Sequence, residues 1–144
     1  MSHMQENVDV RIRTMRTIWI AMLMSIAFYY VFTFVVKRPE AVEPNSTLFL
    51  VLVAVGLATT FISFPIKNKL INQAITQQHV PLVQQSYILA WAMSEVPALL
   101  GLVDYFLTGN RYFYVLFLIA VFAQLLHFPR REHVINASFK KPIF

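Results

Sequence analysis

The sequence has no cysteine, three glycines and few charged residues, and these scarcities narrow the kind of protein it encodes. Without cysteine the chain forms no disulfides and has no thiolate metal ligands or cysteine nucleophiles. Charged residues make up 13% of the 144 residues and hydrophobic residues 58%, which is too apolar for an ordinary soluble domain. The composition therefore indicates an integral membrane protein whose main partner is the lipid bilayer.

Four apolar stretches approach the roughly 20 residues that a helix needs to cross a hydrocarbon core about 30 Å thick. They cover residues 18–36, 48–66, 87–108 and 112–128. The sequence predicts an all-α membrane protein with one domain over residues 1–144. In this domain, four antiparallel transmembrane helices form a bundle of two helical hairpins. Because the connections are short, neighbours in sequence are expected to be neighbours in space.

Short basic tails flank the predicted spans. The C-terminal tail, from Pro129 onward, is expected to be solvated, with binding to anionic head groups or to another subunit as the alternatives. The first three residues resemble a cloning scar, so His3 is left out of the functional argument.

Basic residues are unevenly distributed between the two sides of this predicted bundle. Both tails and the connection after the second span carry nine lysines and arginines, against Lys37, Arg38 and Arg111 on the other side. By the positive-inside rule the termini are cytoplasmic, in a bacterial inner membrane or on the equivalent side of an organelle membrane. Nucleic acid is not a predicted partner, because the basic residues lie in short groups beside apolar runs.

The connection between the second and third spans has apolar residues at helical spacing, from Leu70 to Ile75. Two structures fit this pattern. The connection either extends the second helix beyond the bilayer, with a turn near "QQHVP", or forms a separate interfacial helix that lies flat on the membrane.

Glu95 lies near the middle of the third span, about 12 Å from its start at Tyr87 if each residue rises ~1.5 Å. Acids inside membranes usually face protein or water and mark a functional site. No lysine or arginine lies within any span, so Glu95 must be protonated, hydrogen-bonded or bound to a cation. Asp104 is placed near the outer surface, where it reaches water or pairs with Arg111.

Polar residues on the other three spans lie close to the depth of Glu95. They are Ser25, Thr59, Thr60, Ser63 and Gln124. With Glu95 they form either a structural layer that fixes helix register or a binding site for H⁺ or Na⁺. No other cofactor, no metal site and no catalytic constellation is predicted, so the protein is not expected to be an enzyme. Tyr29 and Tyr30 lie deep in the first span, and their hydroxyls need partners if they are buried.

The third span also carries residues that shape or pack a helix. Pro97 has no N–H and leaves the carbonyl of Met93 without its helical partner, which predicts a bend beside Glu95. A stripe of small residues permits close helix approach, either within one bundle or in a homo-oligomer. The stripe consists of Ala90, Ser94, Ala98 and Gly101. Shorter versions are Ala21 with Ser25 and Ala54 with Ala58.

The segment "AMSEVPALLGLV" resembles the carboxylate helix of the rotary ATPase c subunit, or proteolipid. In that family a glutamate is followed by small and aliphatic residues and often by a glycine. The preceding "QQHVP" is similar to the family's polar loop, so the resemblance covers about residues 66–107. It implies that Glu95 carries the ion and that Thr59, Thr60 or Gln124 assist.

Two functions remain open. The first is a small non-enzymatic integral membrane protein that forms oligomers or is an accessory subunit of a larger membrane complex, with a buried polar layer around Glu95. The alternative is a proteolipid-like protein that translocates H⁺ or Na⁺ on Glu95.

Overall fold

The structure is a computed structural model that describes residues 2–37, 45–108 and 110–138, and within these ranges it is helical without any strand. The described helices are α1 (Ser2–Val35), α2 (Ser46–Gln77), α3 (Val80–Leu107), α4 (Tyr114–Leu126) and α5 (Arg131–Ser138). The prediction of an all-α protein is confirmed. Helices α1, α2 and α3 are long and apolar enough to cross a membrane. Helix α4 is apolar but has 13 residues, about 20 Å at ~1.5 Å per residue.

Helix α3 is the centre of the fold and contacts each of the other four helices. Helices α1 and α2, although consecutive, have no close backbone contact within the described ranges. The expectation that sequence neighbours are neighbours in space is therefore wrong for this pair. A connection of about ten residues can reach roughly 33 Å, so it does not force two helices together. Instead, the end of α3 is bonded to both. The Tyr105 hydroxyl donates to the carbonyl of Val36, just after α1, and the Asn45 N–H, just before α2, donates to the carbonyl of Thr108.

Helix α2 runs without interruption to Gln77, well beyond the predicted span. This confirms the extended helix, and the alternative of a separate interfacial helix is wrong. Gln78 ends α2 in the left-handed conformation, with φ of 53°, and its N–H donates to the carbonyls of Ala74 and Ile75. Pro81 then lies in the first turn of α3, where a missing N–H breaks no helical hydrogen bond.

One apolar core lies at the end of the molecule that we call the basic end. The basic end comprises the N-terminal part of α1, the C-terminal part of α2, the N-terminal part of α3 and α5. The largest buried side chains of this core are Trp91, Tyr87 and Met15. Helix α5 packs against it with Val134 and Ala137 buried, so the prediction of a solvated C-terminal tail is wrong for these residues. A helix of eight residues is unstable alone, and the burial of its apolar side stabilises it here.

A second core lies further along the helices and consists of Ile26, Ala98, Phe117 and Ala120. All four residues of the small-residue stripe of α3 are buried, and Ala98 belongs to this second core. A Cβ on Gly101 would lie 2.9 Å from the ring of Phe117, so glycine allows α4 to approach. A Cβ on Gly56 would lie 3.3 Å from the Pro97 ring, so Pro97 is part of the contact between α3 and α2.

Large apolar side chains cover the outside of α1 and α2. Met24, Phe28, Phe34, Leu50 and Phe61 are each more than 60% exposed. An apolar surface of this extent marks contact with a membrane or a protein partner. Together with the three long apolar helices, it supports the prediction of a membrane protein.

Candidate functional site

Glu95 contacts the hydroxyl side of α1 through Ser25, and Tyr29 lies nearby. The Ser25 hydroxyl lies 2.5 Å from Oε1 of Glu95. The Tyr29 hydroxyl, one helical turn further along α1, lies close enough to Glu95 for the two groups to interact. The carboxyl is half-buried at this contact between α1 and α3. Within the described ranges, its hydrogen bond is to Ser25, and the Tyr29 hydroxyl lies nearby.

The Ser25 hydroxyl has one proton but lies close to two acceptors. It is 2.5 Å from Oε1 of Glu95 and 2.7 Å from the carbonyl oxygen of Met22. If Ser25 donates to Met22, the contact with Glu95 requires a proton on the carboxyl, which then donates to the Ser25 oxygen. The carboxylic acid form of Glu95 thus satisfies both contacts at once, whereas the carboxylate form satisfies only one.

The polar residues predicted on α2 make their hydrogen bonds elsewhere. Thr59 and Thr60 both donate to the carbonyl of Gly56 at 2.9 Å. Ser63 lies 2.6 Å from the carbonyl oxygen of Thr60 and 3.0 Å from Nε2 of His127. The backbones of α1 and α2 are not close to each other, so these three hydroxyls lie on a helix without close backbone contact to that of Ser25. The structure brings Ser25, but not Thr59, Thr60 or Ser63, into hydrogen-bonding contact with Glu95.

Gln124 of α4 is fully buried. Its backbone carbonyl accepts a hydrogen bond from Nε1 of Trp19 at 2.8 Å, which ties α4 to α1. Its side-chain oxygen and nitrogen have no hydrogen-bond partner among the described residues. Leaving a buried amide unsatisfied costs about 1–3 kcal/mol, so this side chain destabilises the fold as it stands.

A second polar group lies at the basic end, among residues far apart in sequence. The Tyr87 hydroxyl lies 2.7 Å from Nδ1 of His133 and accepts the Arg130 N–H at 3.1 Å. The ammonium of buried Lys67 lies 5.4 Å from the centroid of the Tyr87 ring, a cation–π distance. Burial, and then the positive charges of Lys67 and Arg130, lower the pKa of His133 below its ordinary value.

His127 follows α4 and is buried at the junction of three helices. Its ring lies 2.9 Å from the carbonyl of Ala123 and 3.0 Å from the Ser63 hydroxyl, and its own carbonyl accepts Nε1 of Trp91 at 2.9 Å. The ring and the carbonyl of His127 thus both take part in hydrogen-bonding contacts. The group around Lys67 and His133 was missed, since no spacing in the sequence connects its members.

Asp104 lies in a different environment from the predicted one. It is fully buried, and the Thr108 hydroxyl donates to its carboxylate. Thr108 and Asn110 are buried as well. The prediction that Asp104 reaches water near the outer surface is therefore wrong, because the end of α3 is covered by the residues around it.

Comparisons with known proteins give no relative. No protein family model, curated protein or solved structure matches this chain. Within the described ranges, no group of three histidine, aspartate or glutamate side chains is placed to hold a metal ion.

Proposed function

We propose that this chain is a non-enzymatic integral membrane protein that forms oligomers or is an accessory subunit of a larger membrane complex. Helices α1 to α4 cross the bilayer, with both termini on the cytoplasmic side. The excess of lysine and arginine at the basic end supports this orientation. Because α4 is shorter than the hydrocarbon core, the residues before and after it complete the crossing or the bilayer thins locally.

The observation that carries this proposal is the outer face of α2. Ala54 and Ala58 are exposed there, and they lie between the exposed side chains of Leu50 and Phe61. Spacings of four, four and three residues place all four on one side of a helix. Small residues between large apolar ones permit close packing of a further membrane helix. Helices α3, α4 and α5 contact α2, and this stripe remains uncovered.

Native mass spectrometry in mild detergent tests this proposal. The wild type is expected to contain more than one copy of the chain, or to retain a second chain from its membrane. Ala58→Leu is expected to shift it towards the monomer, because the larger side chain separates the packed helices. Ala92→Leu, on the exposed side of α3, is the matched control and should leave the mass unchanged. A wild-type monomer without any retained chain, both in detergent and after cross-linking in membranes, would contradict the proposal.

A second candidate function is translocation of H⁺ or Na⁺ on Glu95. It is favoured by the contacts of the Ser25 hydroxyl, which has one proton but lies close to two acceptors. If Ser25 donates to the carbonyl of Met22, a proton on Glu95 can be donated to the Ser25 oxygen, so this contact can hold H⁺. Hard cations bind several oxygen ligands, and the described contacts of Glu95 supply two hydroxyls. The contacts therefore favour H⁺ over Na⁺.

Labelling with a hydrophobic carbodiimide, which attacks protonated carboxyl groups in membranes, separates the two functions. If Glu95 carries H⁺, its modification should fall as the pH rises and should not change when Na⁺ is added. Protection by Na⁺ would instead indicate a cation site. Glu95→Gln must abolish the labelling, and Asp104→Asn must retain it if the reaction is specific for Glu95. No modification of Glu95 at any pH would contradict ion translocation and leave the structural role.

A further inference from the structure

Arginine side chains line an open groove between α1 and α5 at the basic end. The groove has a volume of about 550 Å³, and Arg13, Arg16, Thr17 and Arg131 contribute to its wall. Nη2 of Arg131 forms an ion pair with Oδ1 of Asp9 at 2.7 Å. Arg13 and Arg16 have no acidic partner among the described residues, and the Arg16 guanidinium lies 5.6 Å from the centroid of the Phe128 ring. Among the described residues, the groove therefore contains two arginines without an ion-pair partner.

A second groove follows in the apolar part of the molecule, between α1 and α4. Its volume is about 480 Å³, and its wall includes Leu23, Ala27 and Tyr30 of α1 with Phe117 and Val121 of α4. Seven of the α1 residues that line the two grooves recur at intervals of three and four, which places these seven on one side of the helix. They are Asp9, Arg13, Arg16, Ile20, Leu23, Ala27 and Tyr30. We call this side of α1 the groove stripe.

The groove stripe has the dimensions of one lipid molecule in one leaflet. The separation between Arg16 and Tyr30 corresponds to about 21 Å at ~1.5 Å per residue. This separation is longer than half of a hydrocarbon core, which is about 15 Å thick. A molecule whose charged end meets Arg16 would therefore extend its apolar part along the second groove to the middle of the bilayer.

We propose that the groove stripe binds an anionic glycerophospholipid. Its phosphate contacts Arg13 and Arg16, and one acyl chain lies in the groove between α1 and α4. Guanidinium groups bind phosphate oxygens through paired, charge-assisted hydrogen bonds. A free phosphate would use only the first groove, and an apolar partner helix would leave both arginines without an anion. A zwitterionic lipid would bring a cation to a site that already has three arginines and one aspartate.

Native mass spectrometry of lipid-stripped protein, with phosphatidylglycerol or phosphatidylcholine added, tests the head-group contact. Phosphatidylglycerol is expected to bind more tightly. The Arg13→Gln and Arg16→Gln double variant should weaken its binding roughly 30-fold, from the usual contribution of two basic residues near a membrane surface. The matched control combines Arg11→Gln with Lys69→Gln, two exposed basic residues outside the groove. It removes the same charge and should change the affinity less than about threefold. Equal losses in both variants, or equal binding of both lipids, would overturn the proposal.

The apolar groove is tested by filling it. Ala27→Phe should reduce phosphatidylglycerol binding, and Ala92→Phe on the exposed side of α3 should not. Soluble glycerol phosphate should not displace the lipid, because it cannot use the second groove. Full displacement would identify a phosphate site instead. If Ala27→Phe changes the oligomer mass and leaves lipid binding intact, a second protein chain occupies the groove and the lipid proposal fails. Unfolding temperatures of all variants within a few degrees of the wild type show that each variant is folded.

Discussion

Replacement of Trp91 by alanine is expected to lower the free energy of unfolding by about 3–5 kcal/mol. The Trp91 side chain is fully buried in the core of the basic end. Its ring packs against that of Tyr87, with 5.6 Å between centroids, and Nε1 donates to the carbonyl of His127 at 2.9 Å. Alanine would leave a large cavity at the point where the other helices meet α3, and the His127 carbonyl would lose a donor.

Reversible unfolding in mixed detergent micelles measures this effect. Trp91→Phe retains most of the ring but loses the N–H, so it should cost about 1–3 kcal/mol. Trp19→Ala is the matched control at the same end of the molecule, because Trp19 is only partly buried and should lose less stability than Trp91. If Trp91→Ala lowered the free energy of unfolding less than Trp19→Ala, Trp91 would not lie in the buried core at the basic end, and the prediction would be contradicted.

Much of the fold could be predicted because apolar length and helical spacing determine single helices. The run of apolar residues predicted α1, α2 and α3, and the spacing from Leu70 to Ile75 predicted the extension of α2. The arrangement of the helices was harder to predict, because it depends on which side of each helix meets which neighbour. The separation of α1 from α2 and the packing of α5 through Val134 follow from such tertiary contacts.

The same distinction applies to the candidate site. Residue counting placed Ser25 at the depth of Glu95, and the structure joins them by a hydrogen bond. Depth is a property of one helix, whereas contact also requires that both side chains turn towards each other. Thr59 and Thr60 lie at a similar depth but bond to Gly56 of their own helix. The sequence indicates that a buried Tyr29 hydroxyl needs a partner. It does not indicate that this hydroxyl lies near Glu95, because that position depends on the rotation of α1 against α3.

Replacement of Glu95 by lysine is expected to lower the free energy of unfolding by about 3 kcal/mol, the cost of a basic residue near the centre of a membrane helix. Glu95 meets the hydroxyls of Ser25 and Tyr29, and no carboxylate among its described hydrogen-bond partners could neutralise an ammonium. Glu95→Gln keeps a donor and an acceptor in the same place. It should cost less than about 1 kcal/mol, within the range of hydrogen bonds between membrane helices.

Glu132→Lys makes the same charge change at an exposed acid on α5 and should alter stability by less than about 0.5 kcal/mol. The comparison of these variants by unfolding in lipid bicelles separates depth in the membrane from charge alone. A large loss for lysine with a small loss for glutamine places Glu95 within the hydrocarbon region, in contact with α1. Similar small losses for Glu95→Lys and Glu132→Lys would mean that the Glu95 side chain reaches water, and both the structural and the ion-binding role proposed for it would then fail.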